Sequence, residues 1–192
     1  MKHNNLLFTC TLFCIGILVS CDKKNDPVVE ESPFFVFFDQ ASITIDTIPV
    51  AASTWQYGFT FKPLLDGRIT QLGIKLPATG SFTVKLWDLS GGTGTVLSEQ
   101  SVNSVTAHTP AFVTIPAIDV KKNATLGVTV LANSFYHVKK QDATAFAFPL
   151  PVGNISITSF NEVMNANATT PFPPATNTTQ VAPCVNVVFI AD

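Results

Sequence analysis

The chain has 192 residues, with a formal net charge of −2 at pH 7 and only 12% charged residues. The charges are scattered singly, so the chain lacks the basic stripe that nucleic acids or anionic lipids require, and a nucleic-acid partner is not expected. Sixteen phenylalanines and thirteen prolines favour a β-rich chain with many turns.

The N-terminal segment has the pattern of an export signal. A short polar start with Lys2 precedes an apolar run from Leu6 to Val19. That run is shorter than the roughly 20 residues that a transmembrane helix needs. The sequence Leu18-Val19-Ser20-Cys21 resembles the lipobox of bacterial lipoproteins. The resemblance implies that residues 1–20 are removed and that Cys21 carries lipid. The alternative is an ordinary signal peptide that contains a cysteine.

The lipobox interpretation accounts for three of the four cysteines. Cys10 and Cys14 leave with the signal peptide, and Cys21 is lipidated, so Cys184 is the remaining thiol. No intramolecular disulfide is then expected, and Cys184 is interpreted as a small buried hydrophobic residue. Residues 21–33 are charged and proline-bounded, which predicts a flexible tether, and residues 34–192 form one predicted domain.

Alternating apolar residues predict a series of short strands. In 53–62, Trp55, Tyr57, Phe59 and Phe61 share one face. Asp66-Gly67 predicts a tight hairpin turn to a strand from Ile69 to Leu76. Next, Phe82, Val84 and Leu86 alternate with Thr83, Lys85 and Trp87. Further strands are predicted at Val96–Val102, Ala111–Ile115, Ala124–Leu131, Phe135–Lys139, Ala145–Phe148, Ile155–Phe160 and Val185–Ile190.

These strands predict an all-β fold. No segment after the leader has a sustained helical stripe, and Gly, Pro and Asn clusters separate the strands at short intervals. The pattern indicates a single-domain antiparallel β-sandwich of jelly-roll, galactose-binding-like type. The segment Asn165–Pro183 has no strand character, and a structureless loop of this length is often functional or mobile.

Three short motifs carry a family resemblance. They are Tyr57-Gly58-Phe59-Thr60-Phe61, then 67–73 (GRITQLG), then Thr83-Val84-Lys85-Leu86-Trp87-Asp88. In this order they resemble an uncharacterised secreted bacterial module, and the likeness extends over residues 55–160. The resemblance implies a jelly-roll sandwich associated with carbohydrate-related proteins, and it brings no catalytic residues.

The candidate binding residues are aromatic or acidic. Trp87 is predicted on the face opposite the core, beside Asp88, where an exposed ring suits a sugar. Its alternative is burial under a loop or a neighbouring strand. Tyr136 belongs to a second aromatic patch. Asp66, Asp88 and Asp119 are weak candidates for calcium, because aspartates at strand ends more often serve turns.

The chain is not expected to be an enzyme. It lacks a Gly-x-Ser-x-Gly motif, and its acidic residues lie singly, so serine-hydrolase and glycosidase interpretations have no motif behind them. One thiol and two distant histidines, His108 and His137, do not have the spacing of a zinc site. No cofactor is predicted.

The sequence therefore predicts a lipid-anchored binding or accessory module of the bacterial envelope, at the outer membrane rather than the inner. Glycan is the leading ligand class, with Trp87, Asp88 and Tyr136 as candidate contacts. The alternative is a structural or assembly subunit that packs on an envelope protein through an apolar patch.

Overall fold

The computed structural model describes residues 29–33, 42–92 and 94–192. The predicted signal peptide, Cys21 and most of the predicted tether lie outside these residues. Within them, no helix combines the length and the apolar character needed to span a lipid bilayer.

Strands dominate the described chain, as the alternating sequence predicts. In chain order they are β1 (Glu30–Glu31), β2 (Ile43–Ile48), β3 (Trp55–Pro63), β4 (Gly67–Ile74), β5 (Gly80–Asp88), β6 (Thr95–Ser104), β7 (Ala111–Val120), β8 (Leu126–Ala132), β9 (Phe135–Lys140), β10 (Leu150–Val152), β11 (Ile155–Met164), β12 (Ala175–Thr176) and β13 (Val185–Ala191). The predicted all-β class is confirmed.

Two antiparallel sheets form a sandwich. The smaller sheet has the order β1-β13-β4-β7, and the larger has the order β10-β11-β3-β8-β5-β6, with β12 beside β11. A separate two-stranded sheet joins β2 and β9. The order β1-β13-β4-β7 opposite β3-β8-β5-β6 is that of an eight-stranded jelly roll. β10, β11 and β12 extend the larger sheet beyond β3.

The core lies between the two sheets. Tyr57, Phe59 and Phe61 of β3 face inward, as their period-2 spacing predicts, and all three are buried. β13 supplies the facing side of the core with Val185, Val187 and Phe189. Residues on the opposite side of β3, β5 and β8 therefore point away from the core, and this outer face of the larger sheet holds the site described below.

The turn predicted at Asp66-Gly67 connects the sheets instead of closing a hairpin. β3 pairs with β8 and β11, whereas β4 pairs with β13 and β7, so the two strands belong to different sheets. The hairpin prediction is wrong because a short Asp-Gly connection also suits a jelly-roll crossing. Local turn chemistry does not specify which sheet the next strand joins.

Two other local predictions differ from the structure. Residues 145–148, predicted as a strand, have no strand pairing, while β2 at Ile43–Ile48 was not predicted. In β2 the isoleucines stand at 43, 45 and 48, without a regular period of two, and most of the strand is exposed. Its strand conformation depends on pairing with β9, which the local sequence does not encode.

The described part of the predicted tether belongs to the domain. Glu30 and Glu31 pair with Ile190 and Phe189 of β13. The Glu31 carboxylate accepts hydrogen bonds from the backbone N–H and the side-chain amide of Asn154, each at 2.6 Å. Residues 30 and 31, which fall within the predicted tether, are therefore held by tertiary pairing with β13.

Candidate functional site: the outer face of the larger sheet

Several polar side chains on the outer face of the larger sheet are buried although they point away from the core. Gln56, Lys85 and Thr129 are each less than a tenth exposed. Buried polar groups of this kind need hydrogen-bond partners, since leaving them unpaired costs folding free energy. A covering segment supplies those partners.

The covering segment is the strap, residues 165–174, which crosses the outer face. Gln56 Nε2 donates to the carbonyl oxygen of Pro171 at 3.1 Å, and Lys85 Nζ donates to the carbonyl oxygen of Ala168. Asn161 Nδ2 donates to the carbonyl oxygen of Pro173 at 3.1 Å. The start of the predicted loop Asn165–Pro183 is therefore held down by three side-chain donors of the sheet.

Trp87 lies beneath the strap. Its side chain is 3% exposed, its Nε1 donates to Thr129 Oγ1 at 2.9 Å, and the Phe172 ring meets it edge-on with centroids 5.9 Å apart. The expectation of an exposed indole is wrong, and the alternative of a covering loop is confirmed. The Trp87 ring lies on the face of the sheet that the sequence predicts, but no sugar can stack on it while the Phe172 ring is in place.

Beside Phe172 the strap forms one wall of a cleft of about 430 Å³, here called the strap cleft, lined by Leu89, Gly92, Gly94, Asn161, Pro171, Phe172, Pro173 and Pro174. The Asn161 side chain is already occupied, since its Oδ1 accepts hydrogen bonds from Thr60 and Ser159 and its amide binds Pro173. The strap cleft therefore offers a ligand mainly apolar surface and backbone groups.

A second concavity, here called the lysine groove, is formed where β3 and β11 meet. Its volume is about 310 Å³, within the range of small-ligand sites. Lys62 on β3 is directly opposite Ser156 on β11, so the sheet register sets their side chains next to each other. The groove is lined by Lys62, Leu64, Asn123, Phe148, Pro149, Ser156 and Thr158.

The polar side chains of the lysine groove differ from those under the strap. Thr158 donates to the carbonyl oxygen of Thr60 at 3.2 Å. Within the described part of the chain, the side chains of Lys62, Asn123 and Ser156 make no hydrogen bond or ion pair. Three polar groups that are free to bind a ligand thus converge beside an aromatic ring and a proline.

Tyr136 is not part of either concavity. It is 5% exposed on β9, its hydroxyl hydrogen-bonds His108 Nδ1 at 2.7 Å, and its backbone N–H donates to Cys184 Sγ at 3.2 Å. Burial, with a smaller contribution from Cys184, raises the pKa of Tyr136 to about 12. The structure therefore does not bring Tyr136 together with Trp87 and Asp88, and it gives Tyr136 a role in packing.

Two of the three aspartates considered for calcium accept hydrogen bonds from neighbouring groups, and the third shares a small cavity with one of them. The Asp66 carboxylate accepts from the Lys122 backbone N–H at 2.8 Å and from Lys121 Nζ at 3.0 Å, and both hydrogen bonds lower its pKa. Asp88 accepts from the Ser90 backbone N–H, which lowers the Asp88 pKa. Asp119 and Asp88 line a small cavity that Lys121 also lines. No group of three or more His, Cys, Asp or Glu side chains that could hold a metal ion occurs among the described residues.

The thiol of Cys184 is fully buried. Burial raises its pKa to about 12, so it stays protonated near neutral pH and is a poor nucleophile. His137 has a lowered pKa because it is desolvated and lies near Lys139, although Asp46 opposes this effect, and its Nδ1 contacts Gln180.

Comparisons with known proteins do not identify this chain. No protein-family model matches it, and no curated protein matches it.

Sequence reasoning did not identify the lysine groove as a site. The alternation of β3 places Lys62 on the outer face, so the position of this lysine could be predicted from the sequence. The pairing of β3 with β11 could not be predicted, and it brings residues about 90 positions apart in sequence next to each other. That long-range pairing depends on packing and not on local pattern.

Proposed function

We propose that this chain is a lipid-anchored, non-catalytic binding module of the bacterial envelope that binds a glycan in the lysine groove. The observation that carries the proposal is the convergence of three polar side chains, those of Lys62, Asn123 and Ser156, beside Phe148 and Pro149; none of the three bonds another described side chain. The likeness of residues 55–160 to a carbohydrate-associated module supports the same ligand class.

A sugar ring matches the chemistry of this groove. One face of the ring is apolar and packs on flat side chains, whereas its hydroxyl groups need donors and acceptors at its edge. Phe148 is half-buried and packs edge-on against Phe160, with centroids 5.6 Å apart, so the apolar wall is supported from the core. Asn123 and Ser156 offer both donors and acceptors, and Lys62 offers donors.

The membrane anchor is proposed from the lipobox motif at Leu18-Val19-Ser20-Cys21. A diacylated cysteine holds a protein stably on a bilayer, whereas one acyl chain binds only marginally. Incorporation of labelled palmitate at Cys21 tests this part of the proposal. We place the module at the outer membrane.

A glycan array probed with the full chain in detergent tests the binding function. Ser156→Phe is the blocking variant, because an outward-facing aromatic on β11 fills the groove without entering the core and suits a strand. Thr114→Phe is the matched control, since it adds the same ring at an exposed position of β7 in the other sheet. We expect glycan binding by the native chain and by Thr114→Phe, and loss of binding in Ser156→Phe.

Two results would contradict the groove as a glycan site. One is that the chain, shown to be folded, binds no glycan on the array. The other is glycan binding that Ser156→Phe leaves unchanged, which would move the site elsewhere on the molecule.

A second candidate function is an assembly subunit that docks on an envelope protein. Val96 is directly opposite Trp87 on the outer face and is 40% exposed, so an apolar side chain lies exposed beside the strap. The strap cleft adds Leu89, Pro171 and Phe172. Formaldehyde crosslinking in intact cells would capture a specific partner if this function is correct, and Val96→Lys would abolish the capture.

A further inference from the structure

We infer that the glycan bound in the lysine groove carries a singly charged acidic group, such as the carboxylate of a uronic acid, and that Lys62 binds this group. The inference rests on the proposed glycan function and specifies its ligand class. It is carried by the charge distribution of the groove.

Lys62 is the ionisable member of the groove lining. The other lining residues, namely Leu64, Asn123, Phe148, Pro149, Ser156 and Thr158, are neutral, so no carboxylate in the wall compensates the ammonium group. A neutral sugar would leave this charge without a counterpart inside the site.

Four cations of the described chain have carboxylate partners. Arg68 pairs with Asp192 at 3.1 Å, Lys121 with Asp66 at 3.0 Å, and Lys139 with Asp46 at 2.9 Å. Lys85 lies 3.4 Å from Glu99. Lys62 makes no such pair with a described residue, although it is half-buried and faces Ser156 across the groove. An acidic ligand would provide the missing partner.

The number of charges favours a monovalent group. The ammonium group of Lys62 balances the charge of one carboxylate or one sulfate ester. The neutral donors of Ser156 and Asn123 hydrogen-bond the oxygen lone pairs of that acidic group that Lys62 leaves unused. A phosphomonoester carries nearly two negative charges at neutral pH and would exceed what one lysine neutralises. Apolar packing on Phe148 and Pro149 holds the sugar ring, so the charge sets selectivity among sugars.

The test measures affinities of the full chain in detergent for matched acidic and neutral oligosaccharides. The acidic probes are oligogalacturonate, hyaluronan and carrageenan oligosaccharides, of which the third separates sulfate from carboxylate. The neutral probes are galactan and dextran oligosaccharides, together with methyl-esterified oligogalacturonate, which keeps the size and removes the charge. We expect an acidic probe to bind about tenfold or more tightly than its neutral counterpart, equivalent to about 1.4 kcal/mol.

Lysine variants then locate the contact. Lys62→Gln should lose about tenfold or more of the affinity for the acidic probe, and Lys62→Arg should retain most of it. Lys122→Gln is the control, because it removes the same charge from an exposed residue that does not line the groove. Higher salt should weaken binding of the acidic probe and leave neutral probes unaffected.

The outcomes separate this inference from the proposed function. Tight binding of neutral probes that Ser156→Phe abolishes and Lys62→Gln does not alter would overturn the acidic ligand and leave the glycan function in place. Binding of no probe by folded chain would overturn both. Equal losses of affinity for the acidic probe in Lys62→Gln and Lys122→Gln would show that only the net charge of the chain matters. That result would also contradict a Lys62 contact.

Discussion

The two lysines on the outer face of the larger sheet occupy contrasting environments. Lys85 is 7% exposed, donates to the Ala168 carbonyl, and lies 5.5 Å from the centroid of the Trp87 ring. Its charge is therefore used within the fold, where it helps to hold the strap. Lys62 lies on the same face outside the strap and has no comparable partner among the described residues. Identical side chains thus serve packing in one place and, by our proposal, binding in the other.

Phe172 is the side chain that decides whether Trp87 meets solvent. Replacing it in Phe172→Ala removes the ring that lies edge-on to the indole. In a Trp55→Phe background, where Trp87 is the remaining tryptophan, we expect a red-shifted emission and stronger quenching by acrylamide. Loss of a half-buried aromatic should also lower the free energy of unfolding by about 1–2 kcal/mol, less than for full burial.

Phe112→Ala is the control for that measurement. Phe112 is a partly exposed phenylalanine on β7 in the other sheet, so its removal should leave the Trp87 emission unchanged. Unchanged emission and quenching in Phe172→Ala would contradict the placement of the strap over Trp87.

At the scale of elements, β3 is the strand around which the larger sheet is organised. It pairs with β8 on one side and β11 on the other. Gly58 lies in its middle, between Tyr57 and Phe59, which face the core. A Cβ added at Gly58 would lie 1.8 Å from the backbone oxygen of Val128, so the close approach of β3 and β8 requires glycine there.

Gly58→Ala should therefore destabilise the domain strongly. Neither backbone can move without breaking the β3–β8 pairing, and we expect the free energy of unfolding to fall by about 3 kcal/mol or more. Urea denaturation monitored by circular dichroism would measure this change.

Gly91→Ala is the matched control, since a Cβ at Gly91 has no atom within 4 Å. Its unfolding free energy should stay within about 0.5 kcal/mol of the native value. A Gly58→Ala chain as stable as the control would show that β3 and β8 are farther apart than described.

The strap is an element without regular secondary structure that is nevertheless fixed in place. Its backbone carbonyls, which have no strand partner, accept hydrogen bonds from side chains of the sheet. β12 then pairs with β11, and Val181 forms an isolated bridge with Val138. The predicted loop is therefore anchored at both its beginning and its end.

At the scale of the whole molecule, the jelly roll determines where the chain leaves toward the proposed membrane anchor. β1 is an edge strand of the smaller sheet, beside β13, and Glu31 binds Asn154 in the turn between β10 and β11. None of the described residues 29–33 lines the lysine groove.

Cys21→Ser should abolish the anchor and leave the domain folded. We expect no incorporation of labelled palmitate and release of the chain from the membrane fraction, because removal of both acyl chains removes stable attachment. Cys184→Ala is the control cysteine variant, since Cys184 is buried and should not affect labelling. Label that persists in Cys21→Ser would contradict lipidation at this residue.

The sequence by itself determined the class of the fold and much of its inward-facing pattern. Period-2 alternation places Tyr57, Phe59 and Phe61 in the core and Trp87 on the opposite face, because side chains of a strand alternate between its two sides. The proposed lipid anchor also follows from the sequence alone, as a prediction that concerns residues outside the described structure.

Only the tertiary structure decided what covers the outer face and what remains open. Strand alternation defines two faces but does not say whether solvent or another segment meets each face, so the burial of Trp87 beneath Phe172 was not predictable locally. The lysine groove depends on β3 pairing with β11, and β2 and β1 depend on their pairing with β9 and β13. These are contacts between residues far apart in sequence, whose formation is governed by packing of the whole domain and not by the propensity of either segment.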